Sequence, residues 1–172
     1  MGLPEPGSDT TDPAKLFVRY LDFYRETVLT KVGTLDEREL RTSRLPSGWT
    51  PVELLGHLAH MEQRWIVWGF LGEAVDAPWG DSHEGSDGSD CRWHVPDDVA
   101  TVTLIAMLRD VGERTSAVLE RTPLDRVGAV GGRFDEDPPT LAWICFHVLQ
   151  EYARHAGHLD IAVELAGGPI GE

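Results

Sequence analysis

Four side chains that can bind a metal or transfer a proton recur at helical spacing near the end of the sequence: His147, Glu151, His155 and His158. On an ideal helix of about 100° per residue they fall within a sector of about 80°. That sector overlaps the apolar side of the same segment, so His155 and Glu151 are expected to point toward the core. A buried carboxylate is costly unless a cation compensates its charge, and a spacing of four residues brings two ligands to one ion.

A second segment offers a matching histidine. Apolar residues recur around His57 at intervals of three and four, and His57 lies about 60° from the centre of that apolar face. His60 lies about 120° from the centre, which places it at an edge or outside. Two facing helices would then supply His57 from one side and Glu151 with His155 from the other. Three protein ligands leave a position for water or substrate, which is typical of catalytic metal sites.

The same residues also have an interpretation without a metal. Histidines on apolar faces are often core residues, and Glu151 could pair with an arginine, for which the candidates are Arg19, Arg64 and Arg154. His158 is predicted to be catalytic, as a proton shuttle or a hydrogen-bond partner of the substrate, with fourth ligand as its alternative. His147 lies at the rim of the apolar face, where a packing or surface role is expected, with a hydrogen bond to one of the metal ligands as the alternative.

Other side chains with reactive or aromatic groups are expected to do less. Cys145 lies toward an edge of the apolar face, where it is expected to pack as a small hydrophobic residue. Three residues of a polar stretch have irregular spacing and indicate a solvated loop, not a second metal site: His83, Cys91 and His94. Three tryptophans are expected in the core or at its rim: Trp65, Trp68 and Trp143.

Positioning these groups requires long helices. Apolar residues at intervals of three and four predict four of them, over 13–32, 51–71, 96–120 and 139–166. The second has the clearest start, because Thr50 is followed by a proline and then by Glu53, the pattern of a capping box. A short helical turn is expected over 36–41. No segment alternates as a strand would, so the sequence predicts an all-α four-helix bundle.

Length and composition fit one domain over 1–172, with 1–11 as a flexible tail. The net charge of −14 argues against nucleic acid and anionic membranes as partners. Two cysteines outside any paired motif, no leader pattern and no apolar run long enough to span a bilayer favour the cytoplasm.

Two motifs together resemble the DinB/YfiT-like metalloenzyme superfamily. One is Gly-His57-Leu-Ala-His-Met-Glu-Gln-Arg-Trp65, and the other is Glu151-Tyr-Ala-Arg-His155-Ala-Gly-His158-Leu-Asp160. The resemblance runs from about residue 13 to 166 and includes the order and length of the helices. It implies an up-down-down-up four-helix bundle, often dimeric, and hence a homodimer here.

The resemblance also implies a metal site made by His57, Glu151 and His155. Many members have histidine where this chain has Glu151, and glutamate at that position is similar to the mycothiol-dependent maleylpyruvate isomerases. Other members often have glutamine where this chain has His158. Two histidines and a carboxylate suit zinc first, with nickel or iron as alternatives.

The function implied is a metal-dependent enzyme acting on a small-molecule electrophile, with mycothiol or a similar low-molecular-weight thiol as co-substrate. S-transfer or isomerisation is the expected reaction, and metal-assisted hydrolysis is the second choice. Two other hypotheses remain at this point: a metal- or ligand-binding bundle without turnover, and a metal-free dimeric scaffold.

Overall fold

The computed structural model describes residues 3–78 and 94–170, and these residues form helices with one isolated bridge between Val127 and Thr140. The elements are α1 (Pro13–Val32), α2 (Glu37–Leu40), α3 (Pro51–Glu62), a π-helical segment that continues α3 (Gln63–Phe70), α4 (Thr101–Arg121) and α5 (Leu141–Leu165). The all-α prediction is confirmed. The bounds predicted for the first helix are those of α1, and α2 lies within the predicted short turn.

Local capping explains where α1 and α3 begin. The Asp12 side chain accepts a hydrogen bond from the backbone N–H of Ala14 at 3.0 Å. At α3, the Glu53 N–H donates to the Thr50 hydroxyl at 3.3 Å, and the Thr50 N–H donates to the Glu53 carboxylate at 3.0 Å. Both helices also have proline in their first turn, where the absent N–H costs nothing. These starts were predictable because each depends on a few consecutive residues.

One predicted bound was wrong, and one predicted helix changes type along its length. The third long helix begins at Thr101 instead of 96, because the chain first makes a turn in which the Val99 N–H donates to the Pro96 carbonyl at 3.0 Å. The Arg41 guanidinium holds the Val99 carbonyl at 2.6 Å, which ties this turn to the end of α2. The predicted helix 51–71 is α-helical only to Glu62, after which the wider π-helix begins.

The packing fixes an up-down-down-up topology. α1 and α3 each pack against α4 and α5. α1 and α5 run in the same direction, because Phe17 meets Phe146 near their starts and Lys31 pairs with Asp160 near their ends. α3 and α5 are antiparallel, because His57 meets Glu151 and Trp65 meets His147. α3 and α4 are parallel, because Gly56 lies near Leu104 and Glu62 meets Thr115. The topology implied by the family resemblance is therefore confirmed.

Apolar side chains from all four long helices fill the centre of the bundle, and one polar cluster lies among them. The Glu62 carboxylate accepts hydrogen bonds from Arg25 of α1, Thr115 of α4 and Tyr152 of α5. Gly112 makes room for this cluster, since a Cβ there would lie 2.8 Å from the Arg25 Cδ and Nε atoms. The cluster therefore links all four long helices through one buried carboxylate.

Within the described ranges, no helix combines the length and the apolar character that crossing a bilayer requires. The single-domain organisation and the homodimer stay predictions.

Candidate metal centre

Helices α3 and α5 bring three potential ligands together. His57 Nε2 lies 3.4 Å from Glu151 Oε2, and His155 Nε2 lies 3.2 Å from the same oxygen. One ligand atom from each residue falls within 4.8 Å of the others. Both histidines are buried and Glu151 is partly buried. The three residues that the sequence selected are thus neighbours in space.

The electrostatics of the cluster favour a charged carboxylate. Hydrogen bonds from His155 and His57 hold the pKa of Glu151 far below its usual range. Burial lowers the pKa of His155, so this imidazole is neutral at physiological pH. A carboxylate beside a neutral imidazole is the protonation state in which these groups bind a metal.

The donor set and two of its three spacings fit a divalent cation. Bonds of about 2.0–2.1 Å in a tetrahedron place neighbouring ligand atoms about 3.3 Å apart. The two distances to the Glu151 oxygen, 3.2 and 3.4 Å, lie on either side of that value. Imidazole and carboxylate ligands suit zinc and its neighbours among the first-row metals.

The arginine pairings considered for Glu151 do not occur among the described residues. Its hydrogen bonds are those to His57 and His155. Arg19 instead contacts Asp9 and Thr10, and Arg64 donates to the Pro78 carbonyl. Arg154 is exposed on α5.

His158 lies beside the cluster without belonging to it. Its Nδ1 is 3.4 Å from the Nδ1 of His155, on the side of the ring opposite the Nε2 that faces Glu151. Such a contact would hold the Nδ1–H tautomer of His155 when Nε2 binds a metal in place of its proton. His158 itself is exposed.

His147 stands apart from the three candidate ligands. Its ring lies 4.1 Å from that of Trp65 and stacks at 8° on Trp143, with centroids 5.6 Å apart. Burial lowers its pKa. The expectation that this histidine packs at the rim agrees with these contacts.

The two cysteines and the loop histidines form no second cluster in the part of the chain that the structure describes. Cys145 is a buried free thiol whose pKa is raised to about 12 by burial. His94 lies 3.8 Å from the Glu53 carboxylate. His83 and Cys91 lie outside the described residues.

Trp49 was not predicted to be near the site. Its ring stacks on His155 at 17° with centroids 5.4 Å apart, and its centroid lies 6.1 Å from that of His57 and 6.0 Å from that of His158. The sequence places Trp49 just before the α3 cap, which predicts packing within that helix but not contact with α5. The indole therefore adds an apolar wall that only the tertiary structure reveals.

An up-down-down-up helical bundle, with a candidate metal site between its second and last long helices, identifies the DinB/YfiT-like class of proteins. A family model described as mycothiol-S-transferase matches residues 16–168, and the chain belongs to this family. The resemblance seen in the two sequence motifs is thus confirmed.

A solved structure of the same class is YfiT from Bacillus subtilis, described as a probable metal-dependent hydrolase with an unusual four-helix bundle topology. The two sequences are 16% identical, and the structural match covers 98% of this chain and 97% of the YfiT chain with a TM-score of 0.59. At this identity the likeness concerns the fold alone. No curated protein matches the chain.

Proposed function

We propose that the protein is a metal-dependent thiol S-transferase in which His57, Glu151 and His155 hold one divalent ion, zinc first. The observation that carries the proposal is the convergence of their three ligand atoms within 4.8 Å between two antiparallel helices. Membership of the mycothiol-S-transferase family supports the thiol, with mycothiol as its natural form. The second substrate is a small electrophile.

A bound divalent ion would lower the pKa of a thiol so that its sulfur is a thiolate at neutral pH. In the transfer, a bond forms between that sulfur and an electrophilic carbon, and the bond to the leaving group breaks with its electron pair. The thiol proton passes to solvent. The chain contributes a carboxylate that offsets the cationic charge and two imidazoles that stay neutral when they act as ligands.

His158 and Trp49 support this arrangement from outside the ligand set. The contact between the two Nδ1 atoms supports a positioning role for His158, in which it accepts the Nδ1–H of His155. Stacking by Trp49 restrains the same ring. A direct catalytic role for His158 stays a prediction.

Elemental analysis of protein purified without a histidine tag tests the metal. We expect one divalent ion per chain, lost in His57→Ala and Glu151→Gln. The matched control is Arg154→Gln, which changes an exposed residue on the same helix as Glu151. Absence of metal in the wild type after incubation with zinc, nickel and iron would overturn the proposal.

Titration of the cobalt-loaded protein with mycothiol tests the thiol. We expect a thiolate-to-metal absorption band that is absent in Glu151→Gln. If metal binds but neither mycothiol nor any other small thiol changes the spectrum, the S-transferase is wrong and a metal-binding bundle without thiol chemistry remains. Turnover is then assayed with a panel of electrophiles.

A further inference from the structure

A group of aromatic rings lies next to the candidate metal centre, and we call it the aromatic cluster: Trp65, Phe134, Trp143 and His147. The Trp65 ring is at its middle, with centroids 4.1 Å from His147, 5.6 Å from Trp143 and 6.1 Å from Phe134. The guanidinium carbon of Arg133 lies 4.3 Å from the Trp65 ring centroid, a cation–π contact. The cluster therefore combines flat apolar faces with one positive charge.

The π-helical segment and a neighbouring loop hold this cluster in place. Backbone N–H groups of Ala129 and Arg133 donate to the carbonyls of Phe70 and Trp68 at 2.9 and 3.2 Å. Glycine allows the close approach, because a Cβ on Gly132 would lie 2.2 Å from the Trp68 carbonyl oxygen. π-Helical turns are frequent at functional sites. Arg133 and Phe134 are thus fixed to the same segment that carries Trp65.

The aromatic cluster and the candidate metal centre lie on the same two helices. His147 precedes Glu151 by one turn, and Trp143 precedes it by two, which correspond to about 6 and 12 Å along the helix axis. Because α3 and α5 are antiparallel, Trp65 lies on that same side of His57. Trp49 lies at the opposite side of the ligands, against His155.

Exposure distinguishes the cluster from ordinary core packing. Trp143 is 52% exposed although its ring is stacked parallel to His147. Trp65, Phe134 and His147 are only partly buried. The exposed Trp143 indole can bind a flat ring by stacking, and the guanidinium over the neighbouring Trp65 ring can attract a negative substituent by charge.

We propose that the aromatic cluster with Arg133 is a substrate subsite, which binds the planar, negatively charged, non-reacting part of the electrophile. This deepens the proposed function, since the reactive carbon of such a substrate would lie toward His57, Glu151 and His155. The distance along α5 suits an elongated conjugated or fused-ring molecule. The occupant is therefore a planar organic anion, and the subsite sets specificity without taking part in bond formation.

Calorimetric titration of the chelator-treated protein with 2-naphthoate tests the subsite without metal or turnover. Cyclohexanecarboxylate, with the same charge but no flat ring, is expected to bind at least about tenfold more weakly. Trp143→Ala is expected to weaken 2-naphthoate by about tenfold. Arg133→Met is expected to abolish the preference for 2-naphthoate over the neutral naphthalene-2-carboxamide.

Phe146→Ala is the matched control, because Phe146 is an exposed aromatic residue on the same helix that packs on Phe17 instead of the cluster. Equal losses in Trp143→Ala and Phe146→Ala, or no naphthoate binding to the wild type, would refute the subsite. The subsite would also be refuted if Trp143→Ala changed the sedimentation of the protein but not its affinity for 2-naphthoate, since the aromatic cluster would then join two copies of the chain. None of these results depends on whether metal or thiol binds, so failure of the subsite is distinct from failure of the S-transferase.

Discussion

Arg25 and Glu62 form a bidentate ion pair in the centre of the bundle. Arg25 Nε lies 3.0 Å from one carboxylate oxygen of Glu62, and Nη2 lies 2.5 Å from the other. The Glu62 side chain is fully buried, at the last residue of α3 where the π-helical segment begins. Thr115 and Tyr152 donate to the same two oxygens at 2.5 and 2.6 Å. Arg25 and Glu62 therefore stabilise the bundle only together, since removing either side chain would leave the charge of the other buried without a counter-ion.

Replacing Glu62 by glutamine is expected to lower the free energy of unfolding by about 3–5 kcal/mol, because the Arg25 charge loses its counter-ion in a buried place. Urea unfolding followed by circular dichroism measures the change. Glu113→Gln on α4 is the control, because that side chain is exposed and its replacement should cost less than about 0.5 kcal/mol. Equal stability of the two variants would show that the ion pair does not hold the helices together.

The three candidate ligands could be predicted because helix periodicity gives the direction of each side chain. Glu151 and His155 are one turn apart on an inward face, and His57 is on the inward face of another helix. Glu62 has a similar signal in the sequence, since it follows Leu58 by four residues and Leu55 by seven, and both leucines are buried. Its partner Arg25 could not be chosen from several arginines without the packing.

Features that depend on distant contacts were not predictable. The π-helical segment Gln63–Phe70 has eight residues, about two turns, which are too few for the spacing of apolar residues to distinguish a π-helix from an α-helix. The carbonyls of that segment meet a loop about 60 residues later in the chain, and no local pattern connects the two. The stacking of Trp49 on His155 depends in the same way on how α3 and α5 face each other.

Cys145 is expected to be unreactive in the folded protein. Burial raises its pKa to about 12, so at about pH 8 its thiolate fraction is roughly a thousandfold below that of a thiol with the ordinary value. The Cys91→Ser variant leaves Cys145 as the single thiol. Iodoacetamide should label this variant in urea and leave it unlabelled in buffer, as followed by mass spectrometry. Rapid labelling in buffer would contradict the burial of Cys145.

His147 is expected to make the protein less stable in acid. Burial lowers its pKa below the ordinary 6.5, so near that pH the unfolded chain takes up a proton that the folded chain does not. Its contribution to stability is complete above about pH 6.5 and is lost as the pH falls through the folded pKa. Urea unfolding at about pH 7.5 and 5.5 should show a smaller loss on acidification in His147→Gln than in the wild type.

The control for this titration is Trp143→Ala, which removes the ring stacked on His147. In this variant the His147 ring is more exposed to water, which should raise its pKa toward 6.5. The pH dependence of the imidazole proton resonances measures that pKa. An unchanged titration would mean that Trp143 does not shield the ring. A wild-type pKa at or above 6.5 would contradict the prediction itself.

His158 offers a test that separates a ligand from a residue that positions one. If His158 accepts the Nδ1–H of His155, then His158→Ala should weaken zinc binding by about ten- to a hundredfold, as loss of such a partner does elsewhere. His158→Gln should bind zinc within roughly threefold of the wild type, because its amide oxygen can accept the same hydrogen bond. Competition with a chromophoric chelator measures both affinities, and His94→Ala, an exposed histidine outside the cluster, is the control.

Equal weakening in the alanine and glutamine variants would instead indicate that His158 binds the ion directly. An unchanged affinity in His158→Ala would leave the contact between the two Nδ1 atoms without a role in metal binding, and Trp49 would then be the remaining restraint on the orientation of His155.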